Sequence, residues 1–218
     1  MPFQIFLFAP AAYLLGSIPF GKLIARKVAR IDITRRGSGN IGATNVAREL
    51  SLKWGLLTLG LDVLKGLVPV LLFSYTLDEA VSPAETGAVL TGLASLAGHQ
   101  FSIFLRFRGG KGVGTALGVF LAIAPLSCVP ALLVFVAAVY RWNYVSLASM
   151  VSVWTVPVFL ALTGGRATVI LGAALAAALI CLRHRENIHR LIRGDEPGWR
   201  PPEGQRNRSR RRSSSSSE

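Results

Sequence analysis

Long apolar blocks separated by short polar stretches dominate the chain. Each block approaches the roughly 20 consecutive apolar residues that a membrane-spanning helix needs, and none alternates with the period of two that a strand of a membrane β-barrel requires. The pattern therefore predicts an all-α, polytopic helical membrane protein with about seven transmembrane helices. The blocks cover residues 3–21, 54–74, 87–105, 113–127, 129–140, 145–163 and 167–183.

The fourth and fifth blocks are short, and prolines punctuate the sequence where they meet. Pro125 and Pro130 both lie there. Proline lacks a backbone N–H and disfavours the helical conformation in the residue before it. We therefore expect a loop between these prolines, with tilted or broken helices on either side.

The composition indicates one membrane-embedded domain followed by a tail. The chain has 218 residues, of which 51% are hydrophobic and 16% charged, whereas a soluble domain carries about 25% charged residues. We assign residues 1–197 to the membrane domain. Residues 198–218 are rich in Arg and Ser and are predicted to be disordered, because they have too little apolar surface to bury. No aromatic is interleaved with the arginines of residues 201–218, so nucleic acid is not a predicted partner.

The loop charges predict an orientation. The formal net charge is +13, and Lys and Arg are concentrated in alternate loops, as the positive-inside rule requires. The second loop, in contrast, carries only acids, and Arg166 is the one exception to the alternation. The N-terminus is therefore predicted to lie outside and the C-terminus in the cytoplasm.

Four polar clusters fall at the cytoplasmic ends of the predicted spans. A protein that only spans a membrane does not need them, and their glycines, neutral donors and cations are suited to an anion. They predict one anion-binding site built from loops at a single membrane face. The clusters are residues 37–48, 98–112, 141–149 and 183–187.

The first cluster formally matches the dinucleotide fingerprint at Gly37, Gly39 and Gly42. That fingerprint needs a preceding strand and a βαβ unit; neither is predicted, so no nucleotide cofactor is expected. Glycines still bring backbone N–H groups close to a ligand, and we favour a phosphate site over a flexible turn. The candidate phosphate contacts are Ser38, Asn40, Thr44, Asn45 and Arg48.

The second cluster contains a Gly-Gly-Lys-Gly loop at residues 109–112. It is not a Walker A motif, because Lys111 is followed by glycine rather than Ser or Thr, and ATP binding is not predicted. Gly109, Gly110 and Lys111 are candidate contacts of an anion. Gly114 and Gly118 continue a four-residue spacing that is typical of close helix packing in membranes.

The remaining candidates each have two interpretations. His184 and Asn187 share one helix face, and His184 is either a base or part of a snorkelling basic helix end. Ser146 and Ser149 are either helix caps or phosphate donors. His99 is either an interfacial histidine or a substrate contact.

Asp62 and Lys65 are charged residues within the second apolar block. Each costs about 2.5–3.5 kcal/mol at the bilayer centre, so such a pair marks either a functional site or a structural ion pair. We favour the structural interpretation. Cys128 and Cys181 lie in apolar blocks without metal-ligand spacing, and no metal is predicted.

The chain resembles a known family at residues 37–48, 98–113, 144–149 and 183–194, and less specifically at 16–21 and 62–66. These are the bacterial acyl-phosphate:glycerol-3-phosphate acyltransferases, integral inner-membrane enzymes with seven spans. The similarity covers about residues 3–197. Ser102 stands where the family often has Pro, and Gly114 where it often has Ala. These two differences lie beside the charged residues of the motif, so they affect the rigidity of the loop more than its function.

The resemblance implies a reaction and its partners. The sn-1 hydroxyl of glycerol 3-phosphate attacks the carbonyl of a long-chain acyl phosphate, giving lysophosphatidic acid and inorganic phosphate, in the first acylation of phospholipid synthesis. It implies no cofactor, and an active site that faces the cytoplasm and is surrounded by membrane lipids. The implied catalytic residues are Arg48, Lys111, His184 and Asn187. The implied substrate contacts are Ser38, Asn40, Thr44, Asn45, His99, Gly109, Gly110, Ser146 and Ser149.

Two other classes of protein compete with an enzyme. A transporter for an anionic metabolite explains charges inside the membrane, but the clusters gather at one face and no inverted repeat is visible. A lipid-binding anchor explains the basic tail, but not the loop of glycines, Asn and Thr. Turnover of an acyl phosphate separates the enzyme from both.

Overall fold

The computed structural model describes residues 4–76 and 84–200, and every regular element within these ranges is helical. The all-α prediction is therefore confirmed for the described part of the chain. The α-helices in these ranges are α1 Gln4–Ser17, α2 Phe20–Ala29, α3 Ala43–Glu49, α4 Leu52–Tyr75, α5 Ala84–Gln100, α6 Val113–Ile123, α7 Pro125–Trp142, α8 Val145–Leu162, α9 Ala167–Arg183 and α10 Arg185–Arg193.

Five helical segments of the described ranges are long and apolar enough to cross a membrane. A sixth results if α9 and α10, which meet at an angle of 57°, count as one span. Helix α6 has 11 residues, about 17 Å at 1.5 Å per residue, and is shorter than the roughly 30 Å core of a bilayer. The five are Phe6–Ala29, Leu52–Tyr75, Glu85–Leu105, Pro125–Trp142 and Val145–Leu162.

Large apolar side chains point outward along these helices. Leu133 and Leu171 are 66% and 69% exposed, and Leu162 is 81% exposed. In water such a surface would drive aggregation, whereas in a bilayer it faces lipid chains. The chain is thus a multi-pass helical membrane protein, as predicted.

The predicted loop between Pro125 and Pro130 is wrong. Helix α6 ends at Ile123 and α7 begins at Pro125, so Ala124 alone forms the break, with φ −147° and ψ 65°. Proline suits the first position of a helix, where its missing N–H has no intrahelical partner to lose. Pro125 therefore starts α7, and Pro130 lies within that helix.

The first apolar block continues beyond its predicted end at residue 21. Helix α1 ends at Ser17 and α2 runs on to Ala29 after a short break at Pro19. The helix breaks at Pro19 because proline lacks a backbone N–H and disfavours the helical conformation in the residue before it. Arg26 and Lys27 lie in the last turn of α2, and Arg30 closes the helix in the left-handed conformation with φ 56°.

Glycines let the helices approach closely. A Cβ on Gly118 would overlap the Val63 carbonyl oxygen, so α6 packs directly on the backbone of α4. A Cβ on Gly114 would lie 3.3 Å from Cβ of Asp62. The predicted packing role of both glycines is confirmed. On α5, Gly98 approaches the carbonyl of Tyr13 on α1 in the same way.

We predict that Gly118→Ala destabilises the protein, because the added methyl group must push α6 away from α4. Overpacking of this kind costs about 1–3 kcal/mol. Gly60 on α4 has no atom within 4 Å of the position of a Cβ, so Gly60→Ala is the matched control. It should leave stability unchanged or raise it by about 0.5–1 kcal/mol. The test is to measure the melting temperatures of both variants in detergent. Equal melting temperatures would contradict the packing interpretation.

Candidate active site

Two polar cavities lie side by side where the loops after α2 and α5 meet α10. The inner cavity has a volume of about 190 Å³ and is lined by α3, the 38–42 loop, Lys111 and the starts of α8 and α10. The outer cavity, about 550 Å³, is lined by the 38–40 and 104–111 loops and by α10. The residues common to both are Ser38, Asn40, Lys111, Asn187 and Arg190.

The structure brings the predicted residues together at these cavities. Gly109 and Gly110 line the outer cavity. The other predicted residues line the inner cavity, although the four clusters that supply them are far apart in sequence. They are Ser38, Asn40, Thr44, Asn45, Arg48, His99, Lys111, Ser146, Ser149, His184 and Asn187.

Asn45 shapes the first loop. Its side-chain amide is buried; Nδ2 donates to the carbonyls of Arg36 and Asn40 at 3.1 and 2.8 Å, and Oδ1 accepts from the N–H of Ser38 at 3.0 Å. With both ends occupied, Asn45 holds the loop that carries Ser38 rather than offering a free donor. Gly37 and Gly39 adopt positive φ values of 52° and 69° in this loop, which glycine accepts readily.

The Gly-Gly-Lys-Gly loop is fixed to the end of α5 and to α9. The N–H groups of Gly109 and Gly110 donate to the carbonyls of Gln100 and His99 at 3.1 and 3.0 Å. The Arg183 guanidinium donates to both glycine carbonyls, at 2.8 and 3.2 Å. Because these backbone groups are occupied, the predicted phosphate cradle of Gly109 and Gly110 is not available here. The loop's contribution to an anion is the Lys111 side chain.

Lys111 is held in a partly dry environment between the two cavities. Burial, together with the charges of Arg190 and Arg48, lowers the pKa of its ammonium group to about 8, and the charge of Glu196 opposes this shift. Desolvation disfavours the charged form of a lysine. Lys111 is therefore a cation whose charge depends on pH just above neutrality.

Glu196 is a site residue that the sequence analysis missed, as is Arg190, which lines both polar cavities. Its Oε1 accepts from Ser146 Oγ at 2.6 Å and from Asn187 Nδ2 at 2.7 Å, and its Oε2 accepts from Arg190 Nε at 2.8 Å. Burial raises the pKa of the Glu196 carboxyl, but these hydrogen bonds and the Arg190 charge outweigh it and hold the pKa below its usual range. An ionised carboxylate therefore lies among the cations of the inner cavity. The signal that could have identified Glu196 in the sequence is an acid two residues after Gly194, which ends α10.

The segment after Glu196 closes one side of the inner cavity. Arg48 Nη2 donates to the carbonyls of Pro197 and Gly198, both at 3.2 Å. The backbone N–H groups of Trp199 and Arg200 donate to Asn143, at 2.7 and 2.8 Å. Residues 198–200, which were assigned to the tail, thus contact α3 and the α7–α8 junction. The rest of that predicted disordered tail, 201–218, lies outside the described residues.

His184 lies buried at the bend between α9 and α10. Its Nδ1 is 2.8 Å from the carbonyl oxygen of Ile180. A carbonyl only accepts, so Nδ1 carries the proton, and in the neutral ring Nε2 is an acceptor. His184 thus has one free acceptor at the inner cavity, a suitable partner for a hydroxyl group.

Asp62 and Lys65 form an ion pair inside the membrane domain. Asp62 Oδ1 is 2.9 Å from Lys65 Nζ, which also donates to the carbonyl of Ile18 at 3.0 Å. The pair ties α4 to the break between α1 and α2, as the structural interpretation expects. Asp62 Oδ1 is also 3.6 Å from Nδ1 of His99, and both residues line the inner cavity.

A third, apolar cavity adjoins the inner one. It has a volume of about 170 Å³ and is lined by apolar side chains of α4 and of α6–α9, with Ser152 among them. Leu59, Val113, Gly114 and Phe135 line both cavities. The polar site therefore continues into a hydrocarbon-like space. In the described residues no group of three His, Cys, Asp or Glu side chains is placed to hold a metal ion.

The chain is similar to known acyltransferases over most of its length. The profile of a family described as glycerol-3-phosphate acyltransferase matches residues 6–194. A relative of that description from Geotalea daltonii is 49% identical over 185 residues, which are 85% of this chain and 92% of the relative. Another from Aquifex aeolicus is 45% identical over 188 residues, 85% of this chain and 94% of the relative.

Two crystal structures have a similar fold. Both are of PlsY (YgiH), described as an integral membrane glycerol 3-phosphate acyltransferase, in a glycerol 3-phosphate form and a lysophosphatidic acid form. Their TM-scores are 0.83 and 0.81. Each is 42% identical in sequence, and the match covers 89% of this chain and 95% of PlsY.

We predict that Glu196→Gln lowers the melting temperature at neutral pH, because Arg190, Arg48 and Lys111 lose their counter-charge. A hydrogen bond to a charged group contributes on the order of 2 kcal/mol, so a fall of several degrees is expected. The folded pKa of Glu196 is depressed, so its stabilisation is present above the unfolded pKa and is lost as pH falls through the folded pKa. The difference between variant and wild type should shrink on acidification.

The exposed neighbour Asp195 provides the control for Glu196→Gln. Asp195→Asn removes the same charge from the same segment and should leave the melting temperature unchanged. Equal melting temperatures for Glu196→Gln and Asp195→Asn at neutral pH would contradict the role assigned to Glu196.

Proposed function

The chain belongs to the glycerol-3-phosphate acyltransferase family, and from this premise we propose that it transfers a long-chain acyl group from acyl phosphate to the sn-1 hydroxyl of glycerol 3-phosphate. The products are lysophosphatidic acid and inorganic phosphate. One observation carries the proposal: a cavity lined by Arg48, Lys111 and Arg190 continues into an apolar cavity. Such a site suits a reaction between two phosphates of which one bears a hydrocarbon chain.

The cations supply the attraction for the phosphate groups. Arg48, Lys111 and Arg190 line the inner cavity against the acids Asp62 and Glu196, of which Asp62 is paired with Lys65. The outer cavity adds further arginines, so anionic substrates approach through a positive field. Hydroxyl groups of Ser38 and Thr44 line the same space and orient the bound phosphates.

The acyl chain occupies the apolar cavity. Its entrance at Gly114 and Phe135 adjoins the inner cavity, so a chain in the apolar cavity leaves its acyl phosphate head beside Lys111. Acyl phosphate is activated by its own leaving group. Positioning of the two reactants and stabilisation of the developing charge therefore provide most of the rate.

Each group has a defined task in the transfer. The sn-1 oxygen forms a bond to the acyl carbon, and the bond between that carbon and the phosphate oxygen breaks, leaving the electron pair on phosphate. Nε2 of His184 accepts a hydrogen bond from the attacking hydroxyl, and Asn187 helps to orient it. The hydroxyl proton passes through Nε2 of His184 to the departing phosphate. The Lys111 ammonium group stabilises the negative charge on the carbonyl oxygen and on the leaving phosphate.

The orientation follows the loop charges. We infer seven spans in the bacterial inner membrane, with the N-terminus outside and the C-terminus and the active site in the cytoplasm. The count takes α6 as a short span and α9 as the last one, with α10 at the membrane surface. The amphipathic α10 supports this placement, since Ile192 is 79% exposed on the same helix as Arg190 and Arg193.

The decisive test is the formation of lysophosphatidic acid by the purified protein in lipid, from glycerol 3-phosphate and palmitoyl phosphate. Wild type should form product, and Arg48→Ala should lower turnover by about 10²–10³-fold, the range seen when one charge-stabilising donor is lost. Arg141→Ala is the control, because Arg141 is exposed and lines neither polar cavity. Folded wild type without product would refute the proposal and favour the transporter, for which uptake of glycerol 3-phosphate into vesicles is the assay.

We predict that kcat/KM for glycerol 3-phosphate falls as pH rises through about 8, the pKa of Lys111. Lys111 is charged below that pH and neutral above it, so phosphate affinity is lost on the alkaline side. Lys111→Arg, whose guanidinium keeps its charge, should retain some activity and shift the alkaline decline to higher pH. An unchanged alkaline limb in Lys111→Arg would show that another group titrates there.

A further inference from the structure

The apolar cavity has a definite end. It begins beside the inner cavity at Gly114 and Phe135 and extends along α6 and α7 away from Lys111. Phe120 lies three residues before the end of α6, and Cys128 is the fourth residue of α7. Both are therefore close to the break at Ala124, at the opposite end of these helices from the phosphate loop.

Three helices close this end. Phe120, Cys128 and Val156 come from α6, α7 and α8, line the cavity and are only 6%, 6% and 7% exposed. One turn beyond Val156, Leu160 is buried in the same apolar cluster but does not line the cavity. Val169 on α9 is also buried in this apolar cluster and does not line the cavity. Beyond Val156 the space is thus filled by packed side chains, and the cavity on the far side of Phe120 has a volume of only about 10 Å³.

The volume of the cavity is suited to hydrocarbon. An engineered apolar cavity of about 150 Å³ stays dry and takes up benzene, and this one has about 170 Å³. At its side, Leu132 on α7 is 57% exposed and faces the surrounding lipid. A chain can therefore move into the cavity directly from the bilayer.

An acyl chain that enters the cavity from lipid does not bind more tightly because it is longer, as it would if it came from water. In water, each buried methylene group strengthens binding, but lipid is as apolar as the cavity wall, so lengthening the chain gains little. Selectivity between chains must then come from fit. A packed wall admits shorter chains at small cost and excludes those that reach past it, because overpacking is unfavourable.

We propose that Phe120, Cys128 and Val156 form a floor that sets the longest acyl chain this enzyme transfers efficiently. This inference rests on the proposed function, since it assigns the acyl chain of acyl phosphate to the apolar cavity. The floor acts on the chain end, far from the phosphates. Changing it should alter the preference among acyl phosphates without altering KM for glycerol 3-phosphate.

The test compares lauroyl, myristoyl, palmitoyl and stearoyl phosphate as donors for wild type and two floor variants. Val156→Phe fills the end of the cavity and should lower kcat/KM for the longest chains relative to lauroyl by roughly 10-fold or more, as expected for an apolar pocket. Phe120→Ala deepens the cavity and should raise the relative kcat/KM for stearoyl phosphate. KM for glycerol 3-phosphate should stay at the wild-type value in both.

Leu133 supplies the controls, because it is 66% exposed on α7 and lies outside the cavity. Leu133→Phe and Leu133→Ala introduce the same two side chains on the lipid-facing side, one larger and one smaller than the original, and should keep the wild-type profile. An unchanged profile in both floor variants would overturn the proposal and place the chain end in the lipid. If Val156→Phe does not fold, Cys128→Phe fills the same space. Wild type that transfers no acyl chain of any length would refute the proposed function instead.

Discussion

Cations that crowd together at the edge of a bilayer repel one another, and the site depends on one carboxylate that holds them in place. Glu196 bonds to Arg190 and faces the charges of Arg48 and Lys111. Water screens such repulsion well, whereas a low-dielectric surrounding strengthens it. Without this counter-charge, the electrostatics that attract a phosphate would also push α3, α10 and the loop of Lys111 apart. Ser146 and Asn187 complete the coordination of the carboxylate, so one side chain connects α8 to α10.

The polar loops divide into residues that build the site and residues that face its contents. Asn45 closes the first loop through its amide, and Arg183 fixes the second through two glycine carbonyls. These bonds hold the two loops in place and do not involve a ligand. Arg48, Lys111 and Nε2 of His184 instead project into the inner cavity from positions that these bonds hold. Pre-organisation of this kind is what electrostatic catalysis requires, because no reorganisation is left for the moment of reaction.

Much of the fold and of the candidate site could be predicted from the sequence, for physical reasons that also explain the failures. Apolar length and loop charge are local properties, so the spans and the four clusters were visible without coordinates. The roles of Gly109 and Gly110 could not be predicted. Their N–H groups are occupied by the carbonyls of Gln100 and His99, and a sequence motif does not show that these carbonyls lie nearby. The start of α7 was missed because proline marks either a break or a beginning.

Glu196 illustrates a further limit. An acid beside an arginine-rich segment has a local partner in every neighbouring arginine, and only the three-dimensional structure selects Arg190, Asn187 and Ser146 as partners of Glu196. Asp62, in contrast, was visible because an acid in an apolar block is conspicuous at once. The role of a charged residue is therefore easiest to predict from sequence when the residues around it in the chain are apolar.

The shortness of α6 has a consequence for where the two kinds of substrate meet. Its 11 residues span about 17 Å of a hydrocarbon layer roughly 30 Å thick, and Lys111 stands just before its first turn. In the seven-span arrangement that we propose, a polar basin replaces part of one leaflet, and the bilayer surface is effectively lowered at this point. In the proposed reaction, the water-soluble glycerol 3-phosphate would descend to the depth of the first chain carbons, and the acyl phosphate would stay at its natural level in the membrane.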